Sequence, residues 1–174
     1  MILRAIQTFI KDPKPEASAE QVMPGLNVLE GVVRLDEPIR SPVRGVPCAA
    51  FFYRSFLFIP GRGPESPPGM HKIRQTEDYA PFTLEMEGGT VAVVPAKAAM
   101  FTQQDHRDLQ ARYGAKFQGV EEVVLPGAKV RVRGKVKVQD GLKVLTLKEL
   151  TVLEKQVAPQ GMSGNRKKRK KGGK

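Results

Sequence analysis

The sequence predicts a mainly β fold: a small antiparallel β-barrel with one helix in its body, an amphipathic helix before it and a disordered basic tail after it. Three observations carry this. Lys129 to Val138 alternates strictly, with Val130, Val132, Val136 and Val138 on one side and Lys129, Arg131, Arg133, Lys135 and Lys137 on the other, the period-two pattern of a half-buried strand. Gly 17 and Pro 14 among 174 residues cut the chain into short elements, which suits a barrel better than a helical bundle. From about Val157 the composition reduces to Gly, Ser, Lys and Arg, too little apolar surface to offset chain entropy.

The elements follow in order. Ile2, Leu3, Ile6, Phe9 and Ile10 share a face at helical spacing, and Asp12-Pro13 and Pro15 end that helix. Residues 11–24 read as a polar linker. Leu26 to Leu35 reads as a first strand in which Gly31 marks a bulge or a barrel bend. Asp36-Glu37-Pro38 and Ser41-Pro42 form a turn region. Cys48 to Ile59 is apolar on both faces, as expected of a central, covered strand. Residues 60–70, rich in Pro and Gly, read as a loop. Phe82 to Met86 and Thr90 to Val94 flank Glu87-Gly88-Gly89 as a hairpin. Ala96 to Tyr113 is the helical segment of the body, stopped by Gly114. Gln139-Asp140-Gly141 then turns Lys129–Val138 into Leu142–Leu153, a strand pair or one bent strand. The count is about six to eight strands, divided as 1–25 helix and linker, 26–156 β-rich domain and 157–174 tail.

The net charge of +11 is unevenly placed. Arg166, Lys167, Lys168, Arg169, Lys170, Lys171 and Lys174 supply +7 of it, leaving +4 for residues 1–165. The tail is therefore a generic polyanion ligand, for nucleic acid or an acidic surface. Arg131, Arg133, Lys135 and Lys137 are the local candidates for a polyanion groove, since same-face side chains on a strand repeat every ~6.5 Å. The bland alternative is an edge kept soluble by outward charge.

Catalytic constellations are sparse. Cys48 is the single cysteine, which excludes an internal disulfide or a Cys-rich zinc module. His71 and His106 are the two histidines, and neither sits in a metal-ligand spacing. His106-Arg107-Asp108 matches a kinase triplet with no nucleotide loop beside it. Glu85/Glu87 and Glu121/Glu122 read as exposed acids on strands and turns. No enzyme activity, cofactor or small-molecule substrate is expected.

A further pattern lies in Glu30-Gly31-Val32-Val33, Asp36 to Arg40, Ser41 to Cys48 (SPVRGVPC), Phe51-Phe52-Tyr53-Arg54, Pro81 to Leu84, Gly89 to Val93 and Leu125-Pro126-Gly127 ahead of Val130 to Gly134. This order resembles the GIDE (BAM) domain across residues 26–153. The resemblance implies a β-rich module used for protein contact. The family's ligases carry transmembrane helices and a RING, and this sequence has residues for neither, so ligase activity does not transfer. The closing strands also resemble those of small OB-like barrels, which commonly bind oligonucleotides. The expected function is a non-catalytic binding or scaffolding module, with a protein partner or membrane surface and with nucleic acid reached through the tail. The alternative is an OB-like binder of single-stranded nucleic acid. No apolar run nears the ~20 residues of a membrane span, and the expected location is cytoplasmic or peripheral to a membrane.

Overall fold

The computed structural model describes residues 14–16, 18–65, 67–97 and 100–154. The N-terminal helix expected over Ile2–Ile10 and the tail from Val157 lie outside the described residues.

Among the described residues there are ten strands and one α-helix: β1 Gly25–Arg34, β2 Ile39–Arg40, β3 Pro47–Cys48, β4 Ala50–Ile59, β5 Gly69–Tyr79, β6 Phe82–Met86, β7 Gly89–Pro95, α1 Gln103–Tyr113, β8 Phe117–Val124, β9 Lys129–Gln139 and β10 Leu142–Val152. Five strands close into a barrel in the order β1-β6-β7-β10-β9, with β9 returning to β1. Taken in chain order these are barrel strands one to five, arranged 1-2-3-5-4. The pairing of β7 with β10 is parallel and the other pairings are antiparallel. That arrangement is the five-stranded Greek-key barrel of the OB-fold. The valines of β9 enter the barrel as their alternation requires: Val130, Val132 and Val136 are buried with Leu29, Leu84, Val91 and Leu145. Val138 departs from the expectation. It lies 51% exposed at the tip of the β9–β10 hairpin, where the strands have run past the barrel and no inner layer remains to cover it.

Two glycines mark close approaches. A Cβ on Gly31 would strike the Glu85 carbonyl and the Leu84 side chain, at the point where β1 passes from β9 to β6. A Cβ on Gly134 would strike the Thr146 carbonyl and Leu145. Gly31 thus serves the barrel bend and not a bulge, because the β1–β9 register runs through it unbroken. The bulge falls in β10 between Leu147 and Glu149, so residues 142–152 form one bent strand.

The polar stretch read as a linker is structural from Glu16 onward. Glu16 N–H bonds the Val28 carbonyl at 2.8 Å, Ala19 N–H bonds the Glu87 carbonyl at 2.8 Å, and a short 3-10 turn over Ala19–Gln21 follows. Ala19 and Val22 are buried in the barrel core, and Lys143 Nζ donates to the Ala19 carbonyl at 2.6 Å. The segment closes the gap that β1 leaves beside β6 along its first half.

Residues 35–81, the connection between the first two barrel strands, fold back as a second layer. Here β4 lies at the centre of a three-stranded sheet between β5 and β8. The barrel-proximal ends of this sheet, Ala49, Ala50 and Val124, join the barrel core. On the opposite face α1 packs against β4 and β8, enclosing Cys48, Phe51, Tyr53 and Phe101. The helix begins at Gln103, later than Ala96. Thr102 is its N-cap and shares a reciprocal capping box with Asp105, and Gly114 (φ 58) ends it.

Candidate functional site

Period-two geometry places Lys129, Arg131, Arg133, Lys135 and Lys137 on the outer wall of the barrel, between β1 and β10. The row is unevenly compensated. Arg131 donates through Nε and Nη2 to Glu30 Oε1 at 2.8 and 2.5 Å, and Lys129 Nζ lies 3.9 Å from Glu154 Oε1. Arg133 is half-buried, in register with Glu149. Lys135 and Lys137 make no ion pair with any described residue. They lie near the hairpin tip on the face shared with Leu26 and Leu142, exposed by 51% and 67%. The open charge is therefore at one end of the row. An exposed pair such as Arg131–Glu30 contributes at most ~1 kcal/mol, so a phosphate can displace its carboxylate.

OB barrels commonly receive oligonucleotides on strands two and three and on the loops after strands one and four. On β6 and β7 the outward positions hold Thr83, Glu85, Thr90 and Ala92, and the Glu85 carboxylate is held below the ordinary range by its hydrogen bond to Arg34. That wall has no ring for stacking. The loop after strand one, in contrast, has grown into the whole β2–β5 layer.

On this layer Cys48–Ile59 holds the central strand β4, as expected, but its cover is incomplete. Phe51, Tyr53 and Ser55 are buried beneath α1, but Phe52 and Phe56 are half-buried on the other face, and Phe58 and Ile59 are each 42% exposed. For Phe58 and Ile59 the physical reason is length. β8 pairs with β4 only as far as Leu57–Phe117, whereas β5 follows β4 to Ile59–Gly69, so the hairpin outruns its sheet. Directly paired residues share a face, which sets Lys72 and Gln118 beside Phe56, Val120 beside Arg54 and Met70 beside Phe58. Met70 is 47% and Val120 39% exposed. Arg54 Nη2 bonds Glu122 Oε1 at 2.6 Å, and Lys72 Nζ bonds Gln75 Oε1 at 3.1 Å. At the barrel end Phe52 meets Tyr79 edge-on at 6.1 Å. An outward hollow there is lined by Phe52, Arg54, Gln75, Glu77 and Glu122.

Of the titratable residues considered for catalysis, Cys48, His106 and Glu121 lie around the side of β4 and β8 that faces α1, near enough for Glu121 to act on the other two, while Asp108 and His71 are exposed elsewhere. Glu121, expected at the surface, has a side chain only 2% exposed. Its carboxylate accepts from Ser41 Oγ at 3.0 Å, Val43 N–H at 2.7 Å, Arg44 N–H at 3.1 Å and Arg44 Nε at 2.9 Å. This bond set fastens the 41–46 turn to β8. Glu122, its neighbour, points to the exposed face, as alternation demands. His106 Nδ1 lies 3.1 Å from the Tyr53 hydroxyl, and burial pushes its pKa below the ordinary 6.5. Burial, with help from Glu121, pushes the Cys48 thiol up to about 11, far from thiolate character at neutral pH. Asp108 accepts from Gln104 on the exposed side of α1, and His71 is exposed on β5. A second cleft, between β5 and the barrel rim, mixes Arg74, Lys97 and Lys148 with Glu77 and Asp78. Among the described residues no group of three or more His, Cys, Asp or Glu side chains is placed to hold a metal, and no helix is long and apolar enough to cross a membrane.

The six tail cations Arg166–Lys171 lie outside the described residues. Arg131, Arg133, Lys135 and Lys137 are brought together as expected. Whether β4 is wholly buried or partly open is not decided by its sequence, because its flanking strands β5 and β8 carry no clean alternation. The one available signal was the polar stretch after residue 68, which cannot bury the second half of β4.

No protein-family model matches the chain, and no curated protein matches it. Among solved structures it is similar to the second OB-fold domain of replication protein A from Methanococcus maripaludis, at 12% identity and a TM-score of 0.38, over 83% of this chain and 100% of that one. At that score the fold assignment rests on the barrel's own strand order and pairing, which make this chain an OB-type barrel carrying a second β-layer.

Proposed function

We propose that the protein is a non-catalytic module that binds single-stranded nucleic acid. The observation that carries this reading is the row of five outward cations on β9, with Lys135 and Lys137 uncompensated, on the wall of an OB-type barrel. Side chains two residues apart on a strand are ~6.5 Å apart, a spacing suited to successive phosphates of an extended strand. The seven tail cations would add affinity without sequence information.

The test is a fluorescence-anisotropy titration of labelled oligo(U) and oligo(dT) across salt. It compares the full chain, a chain ending at Gln156 and the double variant Lys135→Gln/Lys137→Gln. Loss of seven phosphate contacts would flatten the log–log salt slope by about 5. The reading requires that the shortened chain still binds and that the double variant weakens it further. Binding that vanishes with the tail alone would overturn it.

Protein contact, as the GIDE resemblance implies, is a second reading supported by a separate observation. Leu26 and Leu142, 51% and 67% exposed, share the outer face of the β1–β9–β10 wall toward the β9–β10 tip. Apolar side chains left exposed beside one another often mark a partner surface.

A further inference from the structure

We propose that the open face of the β4–β5 hairpin is a stacking platform for the bases of a single nucleic-acid strand. Phe56 and Phe58 are its stacking residues, and Arg54 and Lys72 its phosphate contacts. This deepens the nucleic-acid reading above and rests on it.

The hairpin projects beyond β8, so Phe58 has a strand neighbour on one side only, Met70. The core already takes Phe51 and Tyr53 from the buried face of the same strand, and Phe58 adds nothing to that core at 42% exposure. Phe52, Arg54, Phe56 and Phe58 share one face by the period of the strand, each ~6.7 Å from the next. That repeat is comparable to the reach of one nucleotide in an extended strand.

Cations are interleaved with the rings: Arg54 lies between Phe52 and Phe56, and Lys72 lies directly across from Phe56. Rings and cations alternating along a track are what a base-and-phosphate ligand requires and a purely apolar ligand does not. Arg54 is held by Glu122, whose side chain is 67% exposed, and Lys72 by the neutral amide of Gln75, so both cations can turn to phosphate. Glu77 and Glu122 flank Phe52. The acids therefore stand at the barrel end and confine the ligand to the distal half. Stacking is tolerant of sequence because every base has a π face, so the platform is expected to show little base preference.

The experiment uses the full chain with Phe58→Trp. The chain has no Trp, so emission reports this position alone. Titration with oligo(dT) and oligo(U) is expected to quench emission with the midpoint seen by anisotropy. Phe58→Ala, and Phe58→Leu, which keeps apolar bulk and loses the ring, are expected to weaken binding about 5- to 150-fold. Their salt slope should match that of the parent, since no cation is removed. Binding without quenching, with Phe58→Leu titrating like the parent, overturns the platform and leaves the nucleic-acid reading standing. No binding of either oligonucleotide overturns both. Emission that responds to phosphatidylglycerol vesicles or to protein concentration, and not to oligonucleotide, overturns the platform in favour of a membrane or protein occupant.

Discussion

The Tyr53 hydroxyl and His106 Nδ1 meet at 3.1 Å between β4 and α1, joining that helix to the centre of the second sheet. Each ring is supported by others: the Tyr53 and Phe101 rings pack at 4.5 Å, tilted by 34°, and His106 lies 5.6 Å from Phe117. Burial lowers the His106 pKa, partly countered by Glu121. In the unfolded chain the histidine takes up a proton near 6.5; in the folded chain it does so only at lower pH. The unfolded state thus binds more protons in that window, and stability falls as pH drops below ~6.5. Urea midpoints measured from pH 7.5 to 5 should decline, and His106→Gln should flatten the decline. An unchanged profile in the variant would remove His106 as the cause. Loss attached to Glu85 and Asp105, whose pKa values are lowered by Arg34 and by Thr102, belongs to the more acidic carboxylate range.

Gly119 leaves room for that histidine. A Cβ there would lie 2.6 Å from His106 Cε1 and 2.9 Å from Nδ1. Gly119→Ala is expected to cost about 1–3 kcal/mol through overpacking. In a His106→Ala background the cost should shrink, and a double-mutant cycle by chemical denaturation measures the coupling. Equal costs in both backgrounds would place the strain elsewhere.

Glu121 holds the 41–46 turn through four hydrogen bonds. Glu121→Ala strands the Val43 N–H and the Ser41 hydroxyl, at an expected cost of about 2–4 kcal/mol. Glu121→Gln, which keeps an acceptor, should cost less. Thermal and urea unfolding rank the two, and near-equal stability of Glu121→Ala and the parent would show that water replaces the carboxylate.

On the barrel wall, Lys135→Gln/Lys137→Gln should reduce the single-strand salt slope by about 1.4, at ~0.7 per phosphate contact. Arg131→Gln should change it less per charge, because Glu30 already compensates Arg131. A slope indifferent to all three positions would remove the wall from the interface.

The sequence alone determined the elements whose local pattern and packing agree. The Val-x-Val run of β9 could face only one way, Glu87-Gly88-Gly89 could only turn the β6–β7 hairpin, and Gly114 could only stop α1. The cations from Lys129 to Lys137 were legible for the same reason, since alternation sets their side of the strand before any partner is known. β5 and β8 were not legible. His71 to Tyr79 is polar because it is an edge strand exposed over most of its length, and Phe117 to Val124 mixes a buried Glu121 with an exposed Val120. Their identity as strands comes from pairing with β4, a contact between residues distant in the chain. The fate of β4 was decided by the same pairing. Its apolar pattern is equal on both faces, so nothing local distinguishes the half that α1 covers from the half that β8 fails to reach. The closing of the barrel by Glu16–Val22, read locally as a linker, likewise depends on an unpaired edge of β1 that exists only once β6 and β9 are in place. Side-chain periodicity is a local property and is written in the chain, whereas cover is supplied by distant neighbours and is known only when they have packed.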